Sequence, residues 1–319
     1  MSQTLLVTGS GGLLGSAVVE HLGARGRDDA VRAPRRAELD LLNGPATLAW
    51  FQEHRPAHVV HLAGHVRGLA ENMGNQLDGL ILNSQMGLNV ISACAAFPPE
   101  RLVIGGSTSA YAFPFLHLPL VEGDLLAGDV HPGEHGYASA HRLLIAGADA
   151  LRRDAGVDAR LAVLTNLFGP RDRFEGTAAH VVPALIARFV AAAASGADEV
   201  VVWGNPGTTR DLMYSEDAAA ALVAVLDADE TPELLNVASG AERTMGEIAA
   251  TIAAATGYMG AIRWDNSMPV GLPRRAVDIS RLRALTPAGE EVGFDEGIRR
   301  TVDWYRHHRF VLQRTAAAP

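Results

Sequence analysis

The sequence "VTGSGGLLGS" at residues 7–16 joins the apolar run "TLLVTG" to a helical pattern that starts near Leu13. Gly9, Gly12 and Gly15 therefore stand between a predicted strand and a predicted helix. Glycines at such a turn let a pyrophosphate approach the amino end of the helix closely. The stretch predicts a dinucleotide-binding turn, with an ordinary glycine-rich turn as the alternative.

The first half of the chain repeats this alternation of apolar strand and helix. Further strands are predicted at "AHVVHLA", "RLVIGGS" and "ARLAVLTNL", which start at Ala57, Arg101 and Ala159, with helices near 80–97 and 137–154. Apolar strands separated by helices favour a parallel sheet covered on both faces. We therefore predict an α/β fold with a doubly wound parallel sheet that binds its ligand at the carboxyl ends of the strands.

After Asn166 the alternation becomes irregular. The loop "GPRDRFEG" leads into a helix at "HVVPALIARFVAAAA", and "EVVVWG", "LLNVASG" and "AIRWD" follow as shorter strands among further helices. This half of the chain is expected to divide its segments between the sheet and a smaller unit. We predict a Rossmann domain at 1–168 with 209–240, and a smaller C-terminal substrate-binding domain at 169–208 with 241–319.

The composition excludes several classes of function. The chain has 319 residues, of which 48% are hydrophobic and 20% charged, and no apolar run is long enough to span a bilayer. Its start lacks the basic region of a signal peptide, so we expect a cytoplasmic protein. The net charge of −9 disfavours nucleic acid or an anionic membrane as a partner.

The cysteine and lysine content of the chain excludes further kinds of chemistry. Cys94 is the only cysteine, which excludes an internal disulfide, and its apolar neighbours predict a core position. All 27 basic residues are arginine, so lysine Schiff-base chemistry is excluded. We predict no metal site.

An arginine cluster follows the predicted second strand, where a preference for NAD usually requires an acidic side chain about 20 residues after the glycine turn. The segment reads "AVRAPRRAELDLL" and places Arg32, Arg35 and Arg36 there. Guanidinium groups pair well with the 2′-phosphate of NADP. We therefore predict NADP(H) as the cofactor, with a solvated surface cluster as the alternative.

Several longer motifs resemble one enzyme family. "GGSTSAY" after the fourth strand, "YASAH" and "LTNLFGP" are similar to the extended short-chain dehydrogenase/reductases of the NAD-dependent epimerase/dehydratase type. Within these, "TNLFGPRDRF", "HVVPALIARF", "VVVWGNPGTTRDLMYSEDAAAA" and "VGLPRRAVDISRL" most resemble the GDP-L-fucose synthases, over nearly the whole chain. The resemblance implies an NADPH-dependent enzyme that acts on a nucleoside-diphosphate 4-keto-6-deoxy sugar. It also implies a homodimer, for which the helices at 80–97 and 137–154 are candidates.

The resemblance also implies roles for individual residues. Ser107 and Tyr137 match the positions that bind and protonate the ketone, and His180 matches an acid/base used in epimerisation. The positions that match the cofactor site are Gly9, Gly12, Leu13, Leu14, Gly15, Arg36, Asp40, Leu41, Leu62, Ala63, Gly64, Asn83, Tyr137, His141, Asn166 and Leu167. Those that match the substrate site are Ser107, Thr108, Asn166, His180, Arg188, Trp203, Arg210 and Arg275. Three alternatives stay open: Trp203 as core, Arg188 as solvated, and His180 as a helix cap.

The first departure from the family pattern is His141, which stands one helical turn after Tyr137 where the family has a lysine. A neutral imidazole can bond a ribose hydroxyl but gives little electrostatic help to a phenol with a pKa near 10. Arg142 is rotated by about 100° around the helix and is a poor substitute. Tyr137 is therefore expected to act as a neutral acid, which suits ketone reduction.

The second departure is Ser109, which replaces a cysteine that serves as the partner acid in epimerisation. Inversion beside a ketone needs one group to remove a proton and another to supply one on the opposite face. An unactivated serine hydroxyl exchanges protons poorly near neutral pH. The leading hypothesis is thus a C4-ketoreductase that does not epimerise. The alternatives are a full 3,5-epimerase/4-reductase and a catalytically impaired nucleotide-binding homologue.

Overall fold

The computed structural model describes residues 4–27, 30–176, 179–267, 272–286 and 289–316. The strands within these ranges are β1 (Leu5–Thr8), β2 (Val31–Arg32), β3 (His58–His61), β4 (Arg101–Ser107), β5 (Asp158–Leu164), β6 (Asn166–Phe168), β7 (Glu199–Trp203), β8 (Thr209–Tyr214), β9 (Leu234–Val237), β10 (Glu242–Thr244) and β11 (Ala261–Asp265).

The helices in the same part of the chain are α1 (Leu13–Ala24), α2 (Gly44–His54), α3 (Leu69–Gly74), α4 (Gln76–Ala96), α5 (His135–Ala155), α6 (Val181–Ser195), α7 (Ser215–Asp227), α8 (Met245–Thr256), α9 (Ser280–Arg283) and α10 (Phe294–Ala316). No helix among the described residues combines the length and hydropathy that crossing a bilayer requires.

Six parallel strands form the central sheet in the order β2-β1-β3-β4-β5-β9. After β1 the chain forms β2 on one side of it and then crosses back to form β3 on its other side. The direction of the strand order therefore reverses between β1 and β3. Thr8 pairs with His61, and Ser107 pairs with Leu164, which brings the carboxyl ends of four strands to one edge. Ligands bind at this point in doubly wound folds. The predicted fold class is confirmed.

Apolar side chains cover both faces of this sheet. On one face Phe51 of α2 and Cys94 of α4 pack with Leu144 of α5, while Val18 of α1 and Leu222 of α7 cover the other. Such burial of large apolar side chains supplies most of the driving force for a fold of this size. Burial also raises the pKa of the Cys94 thiol to about 12, so the prediction that this cysteine fills the core is confirmed.

A separate hydrophobic cluster lies outside the central sheet. It joins α6, α8 and α10 to the small sheet β10-β8-β6, with Phe189 and Ile248 among its fully buried residues. Val277 and Leu282 belong to the clusters of the central sheet, although they fall within the segment 241–319. The division into two domains stays a prediction, and part of its second segment lies outside the described residues.

The predicted strand "ARLAVLTNL" divides at Thr165. The Thr165 amide donates to the carbonyl of Val237, and its hydroxyl donates to the carbonyl of Asp211 at 3.0 Å. From Asn166 onwards the chain pairs with β8 instead of the central sheet. This change of partner carries the chain from the carboxyl edge of the central sheet to the small sheet β10-β8-β6.

Candidate active site

The glycine-rich turn places backbone close to backbone between β1 and α1. Gly9 adopts φ of +71°, and a Cβ there would lie 2.7 Å from the amide nitrogen of Ala63. A Cβ on Gly15 would overlap the carbonyl oxygen of Gly9. Because both positions exclude larger side chains, the amino end of α1 stays open to an anionic ligand.

A cavity of about 1430 Å³ lies at the carboxyl ends of β1, β3, β4 and β5. Sites for one small molecule usually measure about 300–1,000 Å³, so this cavity has room for two ligands. Every residue predicted to bind the cofactor lines it. So do Ser107, Ser109, Asn166, His180, Trp203, Arg210 and Arg275, whereas Thr108 and Arg188 do not.

Two arginines of the predicted cluster reach the cavity. The guanidinium of Arg35 lies against Gly11 of the glycine turn, and Arg36 lies 3.6 Å from Asp40 with most of its side chain exposed. Arg32 does not line the cavity. Of the three predicted arginines, Arg35 and Arg36 are therefore the cations that can meet a phosphate at the adenosine end of a dinucleotide.

Ser107 and Tyr137 form the centre of the site. Ser107 ends β4 and Tyr137 lies in the first turn of α5, and their side chains share a hydrogen bond. The amide of Ser109 donates to the Ser107 hydroxyl oxygen at 3.2 Å, so the Ser107 hydrogen remains for another acceptor. Burial raises the pKa of Tyr137 to about 12, and the charge of Glu134 acts in the same direction. The phenol is therefore a neutral proton donor at physiological pH.

His141 packs against Tyr137 on the same helix face. Their ring centroids are 4.5 Å apart in an edge-to-face arrangement. Both ring nitrogens are buried, and neither has a hydrogen-bond partner in the part of the chain that the structure describes. Burial lowers the pKa of His141 to about 4, with a further contribution from His61. The imidazole is neutral at physiological pH, so it can bond a ligand but supplies no positive charge.

Arg142 does not replace the missing lysine. Its guanidinium donates to the backbone carbonyls of Ala110 at 2.8 Å, Gly128 at 2.5 Å and Leu125 at 2.9 Å. These bonds hold the loop between β4 and α5, so the Arg142 guanidinium does not take the place of a lysine beside Tyr137.

Ser109 belongs to a polar network that the sequence analysis missed. Its hydroxyl donates to Glu134 Oε1 at 2.9 Å, and Glu134 Oε2 lies 3.4 Å from Arg275 Nη2. Glu134 immediately precedes α5, yet its side chain makes no helix-capping bond and points to Ser109 instead. The acidic residue just before "HGY" was the one sequence signal of this network.

His180 occupies the N-cap position of α6, but its side chain makes no capping hydrogen bond. The alternative that it merely caps the helix is therefore wrong. Its Nδ1 lies 4.0 Å from Oδ1 of Asp172, and the nearby backbone carbonyl of Arg67 favours the protonated form of the ring. Asp172 lines the same cavity and was not among the predicted site residues.

The part of the cavity lined by Arg210, Arg275 and Trp203 combines two cations and an indole. Arg210 donates to the carbonyls of Thr209 and Leu272, both at 2.7 Å, and burial together with Arg275 lowers its pKa to about 10. Trp203 is 58% exposed at the cavity wall, so the alternative that it is core is wrong. Arg188 lies over its ring at 5.4 Å and donates to the Val201 carbonyl, so it supports Trp203 from outside the cavity.

The fold and the cavity together define a nucleotide-binding α/β protein of the doubly wound class. The chain belongs to the NAD dependent epimerase/dehydratase family, whose model matches residues 5–238. This confirms the resemblance drawn from the motifs.

Individual relatives match almost end to end. The chain is 35% identical over 306 residues to GDP-L-fucose synthase 1 of Arabidopsis thaliana, covering 95% of this chain and 93% of the relative. It is 33% identical over 312 residues to GDP-L-fucose synthase of Escherichia coli K12, with 95% and 96% covered. Among solved structures, the GDP-L-fucose synthetase of Naegleria fowleri bound to NADP matches with a TM-score of 0.87 and 25% identity, over 97% of this chain and 96% of that one.

Proposed function

We propose that this chain is an NADP-dependent oxidoreductase that reduces the C4 ketone of a nucleoside-diphosphate 4-keto-6-deoxyhexose without epimerising the sugar. The observation that carries the proposal is the Ser107 and Tyr137 pair, which lies at the end of β4 in a cavity with room for two ligands. The names of the relatives support a GDP-sugar as one candidate substrate.

The residues present fit NADP(H). The turn at Gly9 and Gly15 leaves space for a pyrophosphate at the start of α1, and Arg35 and Arg36 provide charge for the 2′-phosphate. The unpartnered nitrogens of His141 are suited to the hydroxyls of the nicotinamide ribose. When bound, the cofactor supplies the hydride for the ketone carbon.

Replacing Arg36→Ala is expected to weaken NADPH binding about tenfold or more and to leave NADH binding unchanged. A hydrogen bond to a charged group contributes about 1.5–3 kcal/mol, and only NADPH carries the phosphate that this guanidinium meets. Fluorescence titration with both cofactors measures the effect. Arg32→Ala is the control, because Arg32 does not line the cavity. Equal losses for both cofactors would contradict the assignment.

The protein's own part in the reduction is proton donation at the ketone oxygen. Tyr137 gives its phenolic proton to that oxygen, and Ser107 donates a hydrogen bond to the negative charge that develops there. His141 holds the edge of the Tyr137 ring in place from one helical turn away. Because the phenol remains protonated at working pH, the site favours reduction over alcohol oxidation.

The other end of the cavity suits the nucleoside diphosphate. Arg275 lies close enough to Arg210 to lower its pKa, and two forked donors in a partly buried place attract a diphosphate. Trp203 presents an exposed indole on which a ring can pack. These features support a nucleotide sugar as the substrate and leave its base open.

The proposal that the enzyme does not epimerise its substrate depends on the contacts of Ser109. Its hydrogen is donated to Glu134, and the other oxygen of that carboxylate faces Arg275. A hydroxyl held in this way is a weak acid, and a carboxylate beside a guanidinium is a weak base toward a carbon–hydrogen bond. One of the two groups that inversion needs is therefore missing on this side of the site.

One observation favours a second candidate function, the full 3,5-epimerase/4-reductase. Glu134 Oε1 lies 2.9 Å from the Ser109 hydroxyl and could receive its proton, which would let the pair act in place of a thiol. The catalytically impaired homologue has no comparable support, since Ser107 and Tyr137 are both in place.

A turnover screen tests the proposed function. GDP- and TDP-linked 4-keto-6-deoxyhexoses are incubated with NADPH, and NADPH consumption is read together with the configuration of the product at C3, C4 and C5. The proposal expects reduction at C4 with C3 and C5 unchanged. Inverted C3 or C5 would favour the second candidate, and NADPH binding without turnover on any sugar would favour the impaired homologue.

We also propose a cytoplasmic homodimer joined through α4 and α5. Leu77, Ile81 and Leu88 recur on one face of α4 and are exposed, as is Leu143 on α5, which packs beside α4. Exposed apolar residues with helical spacing are typical of a helix that meets a partner.

Ile81→Glu is expected to convert the dimer into monomers, because it places a charge in an apolar interface. Light scattering after size-exclusion chromatography measures the mass. Leu116→Glu, at an exposed leucine outside the two helices, is the matched control. A wild-type chain that is already monomeric would contradict this part of the proposal.

A further inference from the structure

A buried carboxyl group, Asp172, lies at the cavity wall beside His180. Its side chain is only 7% exposed. Its Oδ1 accepts a hydrogen bond from the amide of Arg173 at 2.7 Å, whereas Oδ2 is buried without a hydrogen-bond partner among the described residues. Buried polar atoms are rarely left unpaired, and those that are usually have a functional explanation. The unpaired oxygen indicates that this carboxyl acquires a partner in the working protein.

The imidazole of His180 is the group that the fold brings to this carboxyl. Its Nδ1 lies 4.0 Å from Asp172 Oδ1, which a small rotation of either side chain converts into a hydrogen bond. The ring is 41% exposed on the cavity side and does not cap α6, and the nearby Arg67 carbonyl favours its protonated form. Asp172 therefore lies on one side of the His180 ring, and the other side of the ring faces the cavity.

Charges around the two groups favour the sharing of one proton. Burial raises the pKa of Asp172 to about 7, while the amide and the charge of Arg173 oppose this rise. Burial lowers the pKa of His180, Arg173 lowers it further, and the Arg67 carbonyl raises it. Asp172 is therefore only partly ionised near pH 7 and His180 is neutral there, so a hydrogen bond between them would make the titration of each depend on the other.

We infer that Asp172 is a positioning residue for His180, which it orients so that the imidazole presents one fixed nitrogen to the sugar. A carboxyl behind a histidine sets which ring nitrogen carries the proton and keeps the ring in one orientation. The oriented ring holds the sugar with its ketone toward Tyr137. This role rests on the proposed function, because it needs a sugar in the cavity.

A double-mutant cycle tests the inference. Asp172→Asn, His180→Asn and the double variant are compared for kcat and KM toward whichever 4-keto sugar the wild type reduces. Each single change is expected to lower kcat/KM about tenfold, mainly through KM, and the double variant is expected to be no worse than His180→Asn. NADPH affinity should change less than about twofold. Asp154→Asn, at an exposed carboxylate on α5, is the matched control and should match the wild type.

A second readout does not depend on activity. With ¹³C-labelled histidine, NMR titration of the wild type is expected to show two linked steps for His180. In Asp172→Asn the His180 pKa should fall by about half a unit or more, because the carboxylate that favours imidazolium is gone. Additive kinetic losses with a single unchanged His180 titration would overturn the inference. If no sugar is reduced at all, the proposed function fails, while the titration still decides whether Asp172 and His180 are coupled.

Discussion

Tyr137→Phe is expected to lower kcat for sugar reduction by about 10²- to 10⁴-fold, the range typical of a lost general acid. The phenol is the group that hydrogen-bonds Ser107 within the cavity, and its pKa of about 12 keeps it protonated. Phenylalanine preserves the ring that packs on His141, so the NADPH dissociation constant should change less than about threefold. Stopped-flow measurement of NADPH oxidation gives the rate.

Tyr258→Phe is the matched control for this experiment. The Tyr258 hydroxyl donates to the Ala261 carbonyl, and Tyr258 does not line the cavity. The control should reduce the sugar at the wild-type rate. A Tyr137→Phe variant that keeps more than about a tenth of the activity would mean that another group donates the proton.

His141→Lys is expected to increase the reduction rate near neutral pH by about three- to tenfold and to lower the pH at which the rate falls on the alkaline side. The pKa of His141 is about 4, so the imidazole is charged only in acid and becomes neutral as pH rises above that value. Lysine starts from an ordinary pKa near 10.4, so after the lowering that burial causes it still carries more charge near neutral pH than imidazole does, and that charge lowers the pKa of the adjacent phenol. A profile of kcat between about pH 5 and 10 measures both changes.

His135→Lys provides the control for added charge, since His135 is exposed on the same helix. This variant should leave the rate and the profile unchanged. An unchanged or lower rate for His141→Lys would show that the site is built around a neutral imidazole, with the space beside His61 shaped for a ring.

Much of the fold could be predicted because its signals are local. The glycine turn, the apolar strands β1, β3 and β4 and the long helices α4 and α5 each have a pattern that requires no distant partner. β10 was missed because it is only three residues long. α2 was missed although Asn43 caps it and a proline follows in the first turn, which is a readable signal.

The residues of the candidate site also fall into two groups, those that could be predicted from the sequence and those that only the structure reveals. Ser107, Tyr137 and His141 stand in contiguous motifs, so their roles could be proposed from the sequence. Glu134 and Asp172 act through contacts that depend on how loops meet in space, such as the bond from Ser109 across 25 residues of chain. Spacing along the sequence does not encode such contacts. The break of the predicted strand at Thr165 has the same cause, because it depends on pairing with β8.

The central claim is that hydride reaches C4 of the sugar while Tyr137 protonates the oxygen, with no proton exchange beside the ketone. One measurement tests it most directly: NMR of the product formed in heavy water from unlabelled 4-keto sugar and unlabelled NADPH. The account predicts ordinary hydrogen at C4, delivered by NADPH, and no deuterium at C3 or C5. Deuterium at C3, C4 or C5 would contradict it.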